Sequence, residues 1–138
     1  MIRRIRNKSR RRGAASVELG LCLPIIVVFC LGSIEACTMI YLKQSLTIAA
    51  YEGARLANSQ GATSADVEAR CNAILTDRRV NGAAVSISPA EVLSVAQGNS
   101  FSIECTAPCN VNAMVAPMFF SSKSLLGRAE FVKKYNGS

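Results

Sequence analysis

Residues 13–42 read GAASVELGLCLPIIVVFCLGSIEACTMIYL, and this stretch decides the architecture. No Lys or Arg falls between Ala14 and Leu42. About 20 mostly apolar residues suffice to cross a bilayer as a helix, and Leu19 to Leu42 meets that length with one proline, Pro24, and one late acid, Glu35. Just before it stand Arg3, Arg4, Arg6, Lys8, Arg10, Arg11 and Arg12. Basic residues on one flank hold that flank in the cytoplasm. The reading is a single-pass protein of the cytoplasmic (inner) membrane, N-terminus inside and C-terminal part exported.

The same leader explains the charge. The 138 residues carry 16 Lys and Arg against nine Asp and Glu, a formal +7. Seven of the basic residues lie in the first 13 positions and all nine acids lie after them, so the remainder is neutral. The excess is a topology signal rather than a nucleic-acid surface. An ordinary secretory signal has an apolar core of about 7–15 residues that ends at small residues. Here the run is longer, and Glu35 stands where that cleavage site would begin.

Glu18 is the odd residue, a carboxylate at the cytoplasmic edge of an apolar run, where it is costly. A basic leader, Gly13, Ala14, then an acid five residues after the glycine and an apolar helix resembles a prepilin (type III) signal. The wider stretch resembles the TadE-like family of minor pseudopilins of Flp-type tight-adherence pilus systems. The matching residues are Gly13-Ala14-Ala15, Val17-Glu18, Leu23-Pro24, Gly32, Ile34-Glu35, Gln44, Ala49-Ala50 and Glu52-Gly53-Ala54-Arg55. Leu19 departs, standing where such pilins usually have an aromatic residue. The resemblance implies cleavage between Gly13 and Ala14 by a prepilin peptidase, and a role in pilus or secretion assembly beside other pilin or pseudopilin subunits and the assembly platform. An uncleaved single-pass anchor whose exported domain binds a cell-surface partner is the alternative.

Pro24 removes a backbone bond one turn into the apolar run and is expected to kink the helix. Beyond the membrane the helix continues. Met39, Leu42, Leu46, Ala49, Gly53 and Leu56 recur at steps of three and four, one stripe of a helix. Ala49, Gly53 and Ala57 form a small-residue ladder that lets a second backbone approach. It packs either on the chain's own domain or on another subunit. Glu35 either snorkels to water or pairs with another helix. Asn58 to Ala62 ends the helix.

Three regions result: a basic leader over 1–13 with residues 1–12 unstructured, a helical TadE-like region over 14–58 with its membrane span at about 19–42, and an exported α+β domain over 63–138. In that domain Thr63 caps a second helix from Ser64 to about Val80, with Asp66 completing a capping box. Val67, Cys71, Ile74 and Leu75 share its inner face. Val85 and Ile87 alternate with serines in a first strand, and Phe101, Ile103 and Cys105 alternate with polar residues in a second. A helical turn is expected near Glu91 to Val95. Pro108 to Ser122 reads as irregular, with an apolar cluster at Met114, Val115, Met118, Phe119 and Phe120. Leu125, Ala129 and Phe131 mark a third strand between Ser124 and Tyr135. The fold class is α+β: a long N-terminal helix, a second helix and a three-stranded antiparallel sheet.

The chain has six cysteines and no histidine, which removes the commonest general base and metal ligand. No zinc spacing or phosphate-binding glycine loop occurs, so neither an enzyme nor a cofactor is expected. Cys22, Cys30 and Cys37 lie in the span as small hydrophobes. Cys71, Cys105 and Cys109 allow three pairings. Cys71–Cys109 is favoured over Cys105–Cys109 because the longer loop constrains the unfolded chain more, the link being worth roughly 3–4 kcal/mol in the loop-entropy account; all three reduced is the alternative.

Overall fold

The computed structural model describes residues 8–134. Arg3, Arg4 and Arg6 of the leader, and Tyr135 at the expected end of the third strand, lie outside the described residues.

One helix, α1 (Lys8–Ala57), runs through more than a third of the chain. At 1.5 Å per residue it is about 75 Å long. It begins at Lys8 rather than at Ala14, because Lys and Arg are good helix formers and extend the apolar helix back across Gly13. The helix is unbroken through Pro24. Every residue from 13 to 30 is exposed, while burial begins in earnest at Glu35 and ends at Ala57.

The second half of α1 is the spine of the domain. Met39, Leu42, Leu46, Ala49, Ala50, Ala54 and Ala57 are all buried. Their partners are α2 (Ser64–Asp77) and a sheet of β1 (Ala84–Ser88), β2 (Ser100–Pro108) and β3 (Ser124–Val132). Both pairings are antiparallel, in the order β1-β2-β3. The register aligns Val85 with Cys105 and Cys105 with Gly127, and likewise Ile87, Ile103 and Ala129. Period-two alternation places these residues on one face, and α1 packs across β2 and β3 on it.

Two glycines permit the close approach. A Cβ on Gly127 would overlap the backbone of Leu46 and Thr47, so strand backbone lies on helix backbone there. A Cβ on Gly53 would overlap the Cys71 sulfur of α2. The ladder Ala49, Gly53, Ala57 is thus closed by the chain's own domain, which resolves the alternative left open by its spacing.

The ends are fastened locally. Thr63 Oγ1 accepts the Asp66 N–H at 3.2 Å, and Asp66 Oδ2 accepts the Thr63 N–H at 3.0 Å, completing the capping box at the start of α2. The helix stops at Asp77, not near Val80, with Arg79 in the left-handed region at φ 56°. A single 3-10 turn covers Val92–Ser94. At the end of α1, buried Lys133 donates from Nζ to the Ala57 carbonyl at 2.5 Å. A cation there satisfies a terminal carbonyl and complements the helix dipole. Asn58 Nδ2 donates to the Val132 carbonyl at 3.1 Å, tying the same helix end to β3.

Candidate functional site

Most of the residues singled out in the sequence lie along α1, with Cys71 and Cys109 off it. Gly13, Ala14 and Glu18 are exposed near its start, with no atom within 4 Å of where a Gly13 Cβ would be. Ala14 and Glu18 are four residues apart and share a face. In the uncut helix the Ala14 N–H belongs to the hydrogen-bond ladder, so a free amine can arise there only by cleavage of the Gly13–Ala14 bond. Pro24 lacks an N–H, which takes away the ladder donor of the Gly20 carbonyl. Around it Ile25, Ile26, Val28 and Phe29 are all more than half exposed. Leu19, Leu21 and Leu23 are equally bare. Branched and aromatic side chains on every side of a helix need an apolar surrounding. This one apolar N-terminal helix fits a single-pass membrane anchor.

Glu35 marks the junction between the bare and the packed halves. It is 5% exposed. Its Oε1 accepts the N–H groups of Phe119 and Phe120, both at 2.9 Å, and its Oε2 accepts that of Met118 at 3.2 Å. Neither sequence alternative describes Glu35 within the chain: it is buried, and among the described residues it meets backbone N–H groups rather than another helix. It holds the β2–β3 loop against α1 by three charge-assisted bonds, the stronger kind. The Phe119 ring comes to 3.8 Å of the Cβ position of Gly32. The loop's other end is held by Asn112, which donates from Nδ2 to the carbonyls of Asn81 at 2.9 Å and Pro108 at 2.8 Å. Sequence reasoning missed this because backbone N–H groups carry no residue signature. The available signal was the apolar cluster at Met114 to Phe120, which in an irregular segment calls for a surface to rest on.

The three cysteines of the domain do not meet as the loop-length argument favoured. All six cysteines are free thiols. Cys71 lies against Cys105, not Cys109, and its Sγ donates to the Ala49 carbonyl at 3.4 Å. The hydrogen bond to Cys71, together with burial, pushes the Cys105 thiol well above its ordinary pKa. Cys109 stands apart, its thiol raised by burial, partly offset by Lys123. Loop entropy ranks pairings by length alone, whereas the register of β2 sends Cys105 inward onto α2. Burial also lowers the Lys133 pKa. Among the described residues no cluster of His, Cys, Asp or Glu is placed to hold a metal ion.

No curated protein and no solved structure matches the chain. The family model described as TadE-like protein matches residues 13–55. Those bounds enclose the bare anchor, Glu35 and most of the domain's helical spine, and they stop two residues short of the end of α1. A TadE-like segment of this extent suggests a membrane-anchored component associated with tight-adherence pili.

Proposed function

We propose that this protein is a minor pseudopilin-like component of a tight-adherence pilus or a related secretion assembly. A prepilin peptidase cuts between Gly13 and Ala14 at the cytoplasmic face of the inner membrane, and the domain is exported. The observation that carries this reading is the TadE-like match beginning at Gly13, with Glu18 five residues on and a bare apolar helix after it. Glycine before the cut leaves the peptide bond unobstructed, and it is also the weakest helix former after proline, by about 1 kcal/mol against Ala. Local unwinding at Gly13 gives the peptidase an extended backbone. After the cut, the Ala14 amine of one subunit meets the Glu18 carboxylate of its own or a neighbouring chain. In low dielectric an unpaired charge costs several kcal/mol, so the pair sets the register between subunits.

The small-residue face is occupied by the chain's own domain. The bare half of α1 therefore remains as the face that meets other pilin or pseudopilin subunits and the assembly platform within the bilayer. The competing reading is an uncleaved anchor whose domain binds a cell-surface partner. It is favoured by the continuity of α1 across Gly13. Intact mass of protein purified from membranes separates the two. Loss of the first 13 residues is expected in the parent and no loss in Gly13→Val. Glu18→Gln is expected to be cut and to assemble poorly. An identical mature mass for the parent and Gly13→Val would overturn the peptidase reading, and normal assembly of Glu18→Gln would overturn the pairing.

A further inference from the structure

The apolar tip of the β2–β3 loop is largely bare among the described residues. Met114 is 85% exposed, Met118 63%, Phe119 61% and Val111 50%. Contiguous exposed apolar surface marks a protein or membrane contact, and here the position along α1 chooses between them. A hydrocarbon layer of about 30 Å takes about 20 helical residues. Counted from Glu18, the edge on the domain's side falls near Thr38, and Gly32 to Glu35 lie about 5–9 Å inside it. Counted from Gly13 it falls near Ser33, and Phe119, which rests on Gly32, stands at the boundary. Either count brings Phe119 to the acyl chains, and the count from Glu18 brings Met114 to their edge.

We infer that the β2–β3 loop dips into the membrane leaflet on the domain's side, with Phe119, Met118 and Met114 among the acyl chains and the domain seated on the headgroups. Lipid cannot satisfy backbone polar groups, which keeps irregular backbone out of the hydrocarbon unless protein supplies partners. Glu35 supplies them to Met118, Phe119 and Phe120, the three residues at the tip's descent. The chemistry just above is that of a phosphate layer. Arg78 and Arg79 border a groove of about 710 Å³ with Met114 on one side and Ile34 to Tyr41 of α1 on the other. Lys123 lies 5.2 Å from the Phe120 ring centre where the loop leaves. None of these three cations forms an ion pair among the described residues. Tyr41, its hydroxyl turned to the Arg78 carbonyl at 3.5 Å, has the amphipathic character of an interface anchor. The loop extends the surface of the bare helix, so lipid that surrounds one borders the other. This inference rests on the membrane-anchor reading of α1, not on cleavage or orientation.

The chain has no tryptophan, so one introduced residue reports its own depth. Full-length Phe119→Trp, Met114→Trp, Phe29→Trp and Leu93→Trp are reconstituted in phosphatidylcholine–phosphatidylglycerol vesicles carrying doxyl groups at acyl carbon 5 or 12. Leu93 belongs to the 3-10 turn beside the start of α2, remote from the loop. The expected result is at least twofold quenching of Phe119→Trp and Met114→Trp by the shallow doxyl, stronger than by the deep one, with emission to the blue of Leu93→Trp. Phe29→Trp is expected to favour the deep quencher. If both loop variants emit like Leu93→Trp and are quenched by iodide while Phe29→Trp is quenched by doxyl, the loop does not enter lipid. If they resist both quenchers, a second copy of the chain covers the tip, and the inference fails in that way. Failure of Phe29→Trp to respond to either doxyl would instead bring down the anchor reading itself.

Discussion

The two halves of α1 form one continuous helix and meet opposite surroundings. From 13 to 30 every residue is exposed, with Leu, Ile, Val and Phe on all sides. From Glu35 to Ala57 one side is closed by the rest of the domain, and beside Glu35 and Ser45 that side is built of Ala, Gly, Met and Leu. Large branched side chains around the whole circumference suit a fluid apolar surrounding that shapes itself to them. Small residues in a stripe suit a rigid partner at backbone distance. Residue size along the helix, as much as hydrophobicity, therefore separates the bare part, which fits a membrane anchor, from the part that meets protein.

The same substitution made in each region breaks or sharpens this contrast. Gly127→Ala sets a methyl group against the backbone of Leu46 and Thr47, where no side chain can yield. It is expected to destabilise the domain by about 3 kcal/mol, the upper end for overpacking. Gly20 has nothing within 4 Å, so Gly20→Ala is expected to leave domain stability unchanged. Thermal or denaturant unfolding of the reconstituted chains measures both; equal effects would erase the distinction.

Glu35 and Glu18, two of the three acids of α1, give a smaller effect. Glu35→Gln keeps the shape but removes the charge that three backbone N–H groups share. Hydrogen bonds to a charged group are worth about 1.5–3 kcal/mol. Amide exchange at Met118, Phe119 and Phe120 is expected to accelerate about tenfold or more, whereas Glu18→Gln leaves those amides as they were. Unchanged exchange in Glu35→Gln would mean that the loop is held by something other than this carboxylate.

The smallest effect belongs to pH. The hydroxyl and N–H of Thr63 hold the Asp66 carboxyl below its ordinary pKa. A depressed carboxylate pKa contributes stability that is complete above the unfolded value, about 3.9, and is lost as pH falls through the lower folded value. Exchange at Asp66 and Val67 is expected to quicken in that acid window and to stay level in Asp66→Asn. A pH response of the same size in Asp66→Asn would assign it to another group.

What was legible in the sequence follows the range of the interaction. The Thr63–Asp66 box, the inward face of α2 and the alternation of β1, β2 and β3 are local patterns, and each is present. The small ladder was visible as a ladder, but its partner was not, because a stripe shows that something packs and not what. Glu35 reaches backbone N–H groups 83 to 85 residues away, and Lys133 a carbonyl 76 residues back. Neither contact has a side chain at its far end to betray it. The start of α1 at Lys8 is hidden because the leader has no apolar periodicity to mark a helix, although Lys and Arg favour one.

The central claim, that the bare half of α1 lies in a bilayer, has reporters already in place. Cys22, Cys30 and Cys37 are exposed thiols on that helix. The full chain in sealed vesicles is treated with a charged, water-soluble maleimide, and the labelled cysteines are mapped by mass, before and after denaturation in dodecyl sulfate. Cys22 and Cys30 are expected to stay unlabelled until the bilayer is dissolved and the chain denatured. Prompt labelling of Cys30 in intact vesicles, at the rate of a thiol in water, would contradict the account.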